Sequence, residues 1–256
     1  MNEFFLFAAV GFLAQLVDGG LGMGYGIISA TTLLTFGFAP AAVSASTHTA
    51  EFFTTAVSGG AHLLHRNIDW RIFWRLAPAG IIGGVVGTYV LTGISGESVR
   101  PFVVAYLAIM GLLILRRAVR WQKPRSSSRH STRLYGVIGG FCDAIGGGGW
   151  GPIVTSTMLA DGGEPRYVIG SVNLSEFFLT FAISATFVAA LVTGHWQMGG
   201  SLSDYVIPVA GLIAGGVVAA PVASYLAKSV PARKLLTAVG LLVLALTTYQ
   251  GWLLFA

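Results

Sequence analysis

The sequence predicts an all-α integral membrane protein of two inverted-topology repeats, each with about five hydrophobic segments and a broken or re-entrant helix at a glycine-rich turn. The composition is the first reason: 54% of the 256 residues are hydrophobic and 10% are charged, whereas a soluble domain carries about 25% charged residues. The second is that apolar stretches approach the ~20 residues that span a bilayer core. The third is an internal repeat. The predicted segments are 4–17, 22–36, 41–64, 76–92, 99–115, 134–145, 151–159, 168–193, 205–227 and 235–255.

The basic residues predict the topology. Most of the 15 Lys and Arg residues lie in three clusters, at 66–75, 116–133 and 228–234, and only Arg100 and Arg166 lie elsewhere. The positive-inside rule places all three clusters in the cytoplasm. Both termini of this multi-pass protein are therefore predicted to lie outside the cytoplasmic membrane, and the net charge of +5 is explained without a nucleic-acid partner.

The same cluster pattern divides the chain. Residues 1–120 are predicted to form a first transmembrane repeat, 121–133 a basic cytoplasmic linker, and 134–256 a second, inverted repeat. The first five residues contain Glu3 and no Lys or Arg, so we do not expect a cleaved signal peptide. The one cysteine, Cys142, leaves no intramolecular disulfide and no cysteine metal cluster.

The repeat is visible without gaps. A shift of 125 residues aligns 11–55 with 136–180, and 16 of the 45 pairs are identical, including the pair Asp18/Asp143 and the pair Glu51/Glu176. Each half holds an odd number of crossings, so the second copy must be inverted. The charges agree, because the basic loop at 66–75 has a counterpart near 195–203 with no Lys or Arg. Inverted repeats are typical of secondary transporters; a passive channel or a scaffold is the alternative.

A glycine-rich turn follows the first segment of each half. Residues 18–26 read Asp-Gly-Gly-Leu-Gly-Met-Gly-Tyr-Gly, and residues 143–152 read Asp-Ala-Ile-Gly-Gly-Gly-Gly-Trp-Gly-Pro. The preceding segments are short for a ~30 Å core, so the turns should lie at membrane depth. Their free N–H groups and the positive end of the next helix predict an anion site, with close packing of small residues as the alternative. Asp18 and Asp143 are expected to accept backbone N–H bonds at the turns.

A polar stretch begins the next helix of each half. Residues 44–51 read Ser-Ala-Ser-Thr-His-Thr-Ala-Glu, and residues 169–176 read Ile-Gly-Ser-Val-Asn-Leu-Ser-Glu. His48 and Glu51 are three residues apart and share a helix face. Ionisable residues inside a bilayer are functional candidates by default. An ionised glutamate cannot stabilise an anion, so we expect the glutamates to be protonated, to accept turn N–H bonds or to carry protons; bracing of the broken segments is the alternative.

Two later stretches complete the pattern, Pro-Ala-Gly-Ile-Ile-Gly-Gly at 78–84 and Pro-Val-Ala-Gly-Leu-Ile-Ala-Gly-Gly at 208–216. Together with the glycine turns, the Ser-x-His/Asn-x-x-Glu segments and the basic central loop, they resemble the TauE/SafE family of membrane permeases over essentially the whole chain. The resemblance implies export or uptake of a sulfur-containing anion such as sulfite, sulfoacetate or a related organosulfonate. It does not fix which anion is carried.

The leading hypothesis is a secondary transporter that moves a small sulfur-containing anion by alternating access, with no cofactor. The repeat symmetry is strict at the glycine turns and glutamates but broken at His48/Asn173, Tyr25/Trp150 and Gly20/Ile145, which predicts a single asymmetric site on the pseudo-twofold axis. The predicted substrate-binding residues are Gly22, Gly24, Tyr25, Gly26, Ser46, His48, Thr49, Gly147, Gly148, Gly149, Trp150, Ser171, Asn173 and Ser175. The predicted proton-coupling or gating residues are Glu51, Glu176, Asp18 and Asp143.

Two other classes of function are alternatives. A transporter or channel for a cation or metal ion would use the intramembrane acids and His48, although a metal site of His48, Glu51 and His62 is disfavoured because the second half has no matching histidines. An intramembrane enzyme would need Ser46 or Ser171 as nucleophile and His48 as base. Residues two apart do not face each other on a helix, so we predict no enzyme. The direction of transport, the coupling ion and the presence of a homo-oligomer stay open.

Overall fold

The computed structural model describes residues 2–119, 132–197, 199, 201–226 and 232–255, and these residues form helices and short connections without a strand. The predicted all-α class is confirmed. Residues 121–131 of the predicted linker lie outside the described residues. The helices are α1 (Asn2–Leu21), α2 (Tyr25–Thr35), α3 (Pro40–Leu64), α4 (Trp70–Thr92), α5 (Gly96–Val119), α6 (Thr132–Gly146), a π-helical turn (Gly151–Thr155) running into α7 (Ser156–Ala160), α8 (Pro165–Val192), α9 (Leu202–Leu226) and α10 (Ala232–Phe255).

Five stretches of these helices are long and apolar enough to cross a membrane by length and composition: Trp70–Thr92, Gly96–Val119, Pro165–Val192, Ser203–Pro221 and Arg233–Leu254. Helix α3 also has 25 residues, but its hydroxyl groups, histidine and glutamate lower its mean hydropathy. Large apolar side chains face outward all around the bundle, among them Leu13, Ile82, Phe102, Val188 and Leu241. Soluble monomers rarely expose so much apolar surface, whereas a protein surrounded by lipid does.

The helices pack in two similar crossings. Helix α1 lies along α9, and α6 lies along α4, while α3 packs against α8 and α5 against α10. Glycines bring the backbones into contact in both crossings. A Cβ on Gly215 would overlap the Ala8 carbonyl, and a Cβ on Gly83 would overlap the Val137 carbonyl. Small residues at helix contacts are the usual way for helices to associate in membranes.

Each glycine turn interrupts the chain between two successive helices. Gly22 has φ 66°, Gly24 has φ 132° and Gly147 has φ 70°, a region that residues with a Cβ rarely adopt. The predicted second segment, 22–36, therefore begins only at Tyr25, and α1 continues past the predicted end at residue 17 to Leu21. Helix α2 has 11 residues, roughly 16 Å at 1.5 Å per residue. It is too short to cross the bilayer alone, so the turns lie inside the bundle.

Candidate functional site

The two glycine turns contact each other at the centre of the molecule. A Cβ built on Gly26 would lie 2.7 Å from the Gly147 carbonyl oxygen and 2.8 Å from Cα of Gly148, and a Cβ on Gly148 would overlap the backbone nitrogen of Ile27. A Cβ on Gly151 would lie 2.5 Å from Cβ of Met23. Only glycine fits these positions without displacing the facing backbone. The turns of the two halves thus form one unit.

An aspartate organises each turn. Oδ1 of Asp143 accepts hydrogen bonds from the backbone N–H of Gly149 at 2.5 Å and of Trp150 at 2.9 Å. Oδ1 of Asp18 accepts one longer bond, 3.4 Å, from the N–H of Tyr25. Both aspartates therefore accept turn N–H groups, as the sequence predicts. The consequence is that Asp143 already occupies N–H donors that the anion hypothesis assigns to a substrate.

Four carboxyl side chains surround one small cavity between the turns. Two come from each half, Asp18 and Glu51 from the first and Asp143 and Glu176 from the second, and all four are buried. The cavity has a volume of about 10 Å³, room for roughly one water molecule. Sulfite, with a sulfur and three oxygens, does not fit in that space. The site must open before it can hold an anion. The other lining residues are Gly24, Gly26, Ile27, Gly148, Gly151 and Pro152.

His48 reaches this site through Asp143. Its Nε2 lies 3.1 Å from Oδ2 of Asp143, and its Nδ1 lies 2.7 Å from the carbonyl oxygen of Ser44. The Ser44 hydroxyl donates to the Ala144 carbonyl at 2.5 Å. The bonds to Asp143 and Ala144 join α3 of the first half to α6 of the second. Ser44 is a residue that the sequence analysis did not assign to the site, although its spacing of four from His48 places both on one helix face.

The equivalent of His48 in the second half makes different contacts. Oδ1 of Asn173 accepts a 2.8 Å hydrogen bond from the Ser58 hydroxyl, and its Nδ2 donates to the Ile169 carbonyl at 3.1 Å. Asn173 therefore links α8 to α3 instead of contacting Asp18. Ser58 was missed by the sequence analysis, since no local pattern shows which residue of a neighbouring helix it faces.

The acids and His48 come close enough to test the metal alternative. Ligand atoms of His48, Glu51 and Asp143 lie within 4.8 Å of one another. Both ring nitrogens of His48 and both carboxyl oxygens of Asp143 are already in hydrogen bonds with protein groups. In this conformation Nε2 of His48 and Oδ2 of Asp143 contact each other, so a metal ion could bind here only by displacing that contact. His62 lies elsewhere, near the end of α3, where its Nδ1 is 3.2 Å from Nδ2 of Asn67.

Ser46 and Thr49 lie on the opposite side of α3 from His48 and Glu51. At 100° per residue, Ser46 and Glu51 point roughly 140° apart. Both hydroxyl residues line a second, larger cavity of about 490 Å³ between α3, α8 and α9. The structure therefore does not bring them into the carboxyl site. The other walls of this cavity are mostly apolar, with Phe52, Phe181, Phe187, Trp196 and Tyr205.

The serines of α8 also lie outside the carboxyl site. Oγ of Ser171 accepts from the backbone N–H of Asp69 at 2.8 Å and lies 3.2 Å from its carbonyl oxygen, so it ties α8 to the start of α4. The Ser175 hydroxyl donates within its own helix to the Ser171 carbonyl at 2.7 Å. These groups are used for helix packing in this conformation.

Aromatic side chains anchor the turns to the opposite half. The Tyr25 hydroxyl donates to the Leu212 carbonyl at 2.9 Å. The Trp150 ring packs so closely on Gly80 that a Cβ there would lie 2.6 Å from it, and its Nε1 donates to the Val172 carbonyl at 3.3 Å. Neither ring lines the small cavity. The remaining predicted glycines act through backbone bonds, from the Thr155 hydroxyl to the Gly22 carbonyl and from the Gly147 N–H to the Asp143 carbonyl.

Comparison with known proteins decides the family. The sequence profile described as "Sulfite exporter TauE/SafE" matches residues 7–249. The chain belongs to the TauE/SafE family. Over 263 residues, it is 37% identical to the "Probable membrane transporter protein YtnM" of Bacillus subtilis (strain 168). The alignment covers 99% of this chain and 85% of that protein. No solved structure matches this chain. The protein is thus a TauE/SafE membrane transporter, as the resemblance implied.

Proposed function

We propose that this TauE/SafE transporter is a proton-coupled secondary transporter for a small sulfur-containing anion such as sulfite, sulfoacetate or a related organosulfonate. One observation carries the proposal. Two acids from each half, Asp18 and Glu51 with Asp143 and Glu176, meet around a single buried cavity where the glycine turns touch. The substrate class comes from the family description, and the acids supply the coupling.

Protons reconcile an acidic site with an anionic substrate. Four ionised carboxyl groups in a cavity with room for about one water would repel one another strongly, because little solvent screens them. Oε2 of Glu51 has no hydrogen-bond partner among the described residues, which makes it a natural position for a proton. An anion can enter beside these groups only when protons have neutralised them. Proton and anion therefore move together.

Alternating access follows from the inverted repeat that the sequence predicts. The matching crossings of α1 with α9 and of α6 with α4 support that symmetry. One end of the α3–α8 pair is tied together by the bond from Ser58 to Asn173 and by Arg166, whose Nε donates to the Asn67 side chain at 2.6 Å. The other end borders the 490 Å³ cavity. With the predicted topology, the tied end faces the cytoplasm and the 490 Å³ cavity faces the outside.

Flux measurements in liposomes test the proposal. Purified protein is reconstituted, a pH gradient is imposed, and uptake of labelled sulfite, sulfoacetate and taurine is measured. We expect pH-driven uptake of at least one of them, and its loss in Glu51→Gln and Glu176→Gln. Glu97→Gln is the matched control, because Glu97 is exposed at the start of α5. Full pH-driven uptake by both cavity variants would show that these glutamates do not couple transport.

The same liposomes distinguish the cation alternative. A cation or metal carrier would show flux that rises with divalent cation and is indifferent to sulfite and sulfonates. A thermal-shift screen of sulfite, sulfoacetate, taurine, sulfate and divalent metals gives a second readout. Stabilisation by metal alone would replace the anion proposal with the cation one.

A further inference from the structure

The hydrogen-bond partners of His48 determine where its protons are. Nδ1 lies 2.7 Å from the Ser44 carbonyl oxygen, and a carbonyl oxygen can only accept. The Ser44 hydroxyl, 3.2 Å from the same nitrogen, donates instead to the Ala144 carbonyl. Nδ1 must therefore carry a hydrogen and donate it to Ser44.

The other ring nitrogen then requires a second proton. If Nδ1 carries the hydrogen of a neutral imidazole, Nε2 presents a lone pair. That lone pair would face Oδ2 of Asp143 at 3.1 Å, so two acceptors would be in contact. We propose that His48 and Asp143 hold one shared proton between Nε2 and Oδ2, and that this pair is where the coupling proton is loaded and released. With the proton the pair is neutral overall, as imidazolium and carboxylate or as imidazole and carboxylic acid; without it the pair carries a charge of −1.

The surroundings make this proton sensitive to the substrate. The pair is fully buried, with His48 0% and Asp143 1% exposed. The titratable groups that face it are Glu51 on α3, Asp18 on α1, Glu176 on α8, Tyr106 on α5, and Cys142 beside Asp143 on α6. No Lys or Arg lines the cavity. Deprotonating the pair would add a negative charge to an acidic site, so a bound anion favours the protonated pair, and loss of the anion together with entry of water favours release.

Glu51 provides the next position for the released proton. Its carboxyl lies within 4.8 Å of ligand atoms of both His48 and Asp143, and the cavity between them has room for about one water. In the transfer, the proton leaves Nε2 or Oδ2, passes through that water and binds the carboxylate of Glu51. The pair then has a charge of −1 and Glu51 becomes neutral, so the charge of the site is conserved until Glu51 loses its proton to the aqueous side.

The pair occurs at one turn only. In the second half Asn173 replaces His48, and its amide oxygen accepts from Ser58 rather than from an acid. An amide does not titrate, so Asp18 has no equivalent shared proton. The broken symmetry thus assigns a single histidine–carboxylate proton to each molecule. The coupling role rests on the proposed function, whereas the shared proton itself does not.

Nitrogen-15 NMR of the full-length, histidine-labelled protein in lipid nanodiscs tests the shared proton without a substrate. His48→Gln removes its resonance and Asp143→Asn shifts it, which gives two independent assignments. His65→Gln, at an exposed position, is the control that leaves the resonance in place. We expect protonated Nδ1 with Nε2 either protonated or strongly hydrogen-bonded to a protonated carboxyl. A neutral Nε2–H tautomer with bare Nδ1 would overturn the proposal.

Transport separates the coupling role from the proposed function. His48→Gln and His48→Asn should lower accumulation driven by a pH gradient far more than they lower sulfite exchange between equal pools, because exchange needs no net proton movement. His65→Gln should retain both. If the His48 variants keep pH-driven accumulation, the coupling role is wrong while transport stands. If the unmodified protein moves none of the tested anions, the proposed function fails, and the NMR result still decides whether the proton is shared.

Discussion

Ser58 on α3 donates a 2.8 Å hydrogen bond to the side-chain oxygen of Asn173 on α8, 115 residues away in the chain. Asn173 stands where the first half has His48, so the residue that breaks the repeat symmetry is held by the opposite half. The bond lies between two helices that border the carboxyl site. It is a specific polar contact toward the end of the α3–α8 pair that carries Arg166. Its removal should therefore be measurable.

Ser58→Ala should lower the free energy of unfolding by about 1 kcal/mol, because it removes one buried interhelical hydrogen bond and leaves the Asn173 oxygen unpaired. Unfolding in mixed detergent micelles measures this. Ser184→Ala is the control, since the buried Ser184 hydroxyl has no partner among the described residues. Equal losses in both variants would mean that the contact does not stabilise the pair.

Gly148→Ala should prevent correct folding or abolish transport, because its Cβ would overlap the backbone nitrogen of Ile27 in the other glycine turn. Neither backbone can move without separating the two turns. Gly60→Ala is the matched control in α3, where nothing lies within 4 Å of the added Cβ; it should be neutral or stabilise by up to ~1 kcal/mol through helix propensity. Yield of folded protein and sulfite uptake are the readouts, and a normal Gly148 variant would contradict the contact.

Asp143→Ala should destabilise the protein more than Asp18→Ala. Asp143 accepts two backbone N–H bonds at 2.5 and 2.9 Å and contacts His48, whereas Asp18 accepts one N–H at 3.4 Å. Hydrogen bonds to charged groups contribute about 1.5–3 kcal/mol each, so the difference should be at least about 1.5 kcal/mol. Thermal and denaturant unfolding of both variants give the comparison. Equal effects would show that the turns are stabilised by packing alone.

Thr49→Cys should react with a membrane-impermeant thiol reagent, because Thr49 lines the 490 Å³ cavity. Thr47→Cys should not react, since Thr47 is fully buried on another face of α3. Both are made in a Cys142→Ala background, which removes the one native thiol. Reagent added from the outside should label Thr49→Cys faster than reagent added from the cytoplasm. The reverse order would show that the cavity opens inward.

Several features of the site could be predicted from sequence because they depend on local chemistry. Gly22 and Gly147 need a positive φ that only glycine readily adopts. Asp18 and Asp143 precede short turns whose N–H groups need acceptors, and the repeat alignment shows both positions twice. The four candidate carboxyl residues followed from the same alignment, since Glu51 and Glu176 occupy equivalent positions in α3 and α8.

The rest depended on contacts between distant segments. Residues 44–51 of α3 are polar on more than one face, so composition did not show that Ser46 and Thr49 lie away from Glu51. The bond from Ser58 to Asn173 and that from Ser44 to the Ala144 carbonyl depend on the tertiary packing of helices. Helical periodicity limits which residues share a face, but it does not select the neighbour that each face meets.

The small volume of the carboxyl cavity also matters for the cell when nothing is being carried. A column of hydrogen-bonded waters conducts protons rapidly, and a space of about 10 Å³ holds roughly one water. No continuous file of waters fits in that space, so we expect liposomes that contain the protein to conduct few protons when substrate is absent. In a proton-coupled transporter, protons would then cross the membrane only in turnovers that also carry substrate, and the proton-motive force would not be lost by leakage.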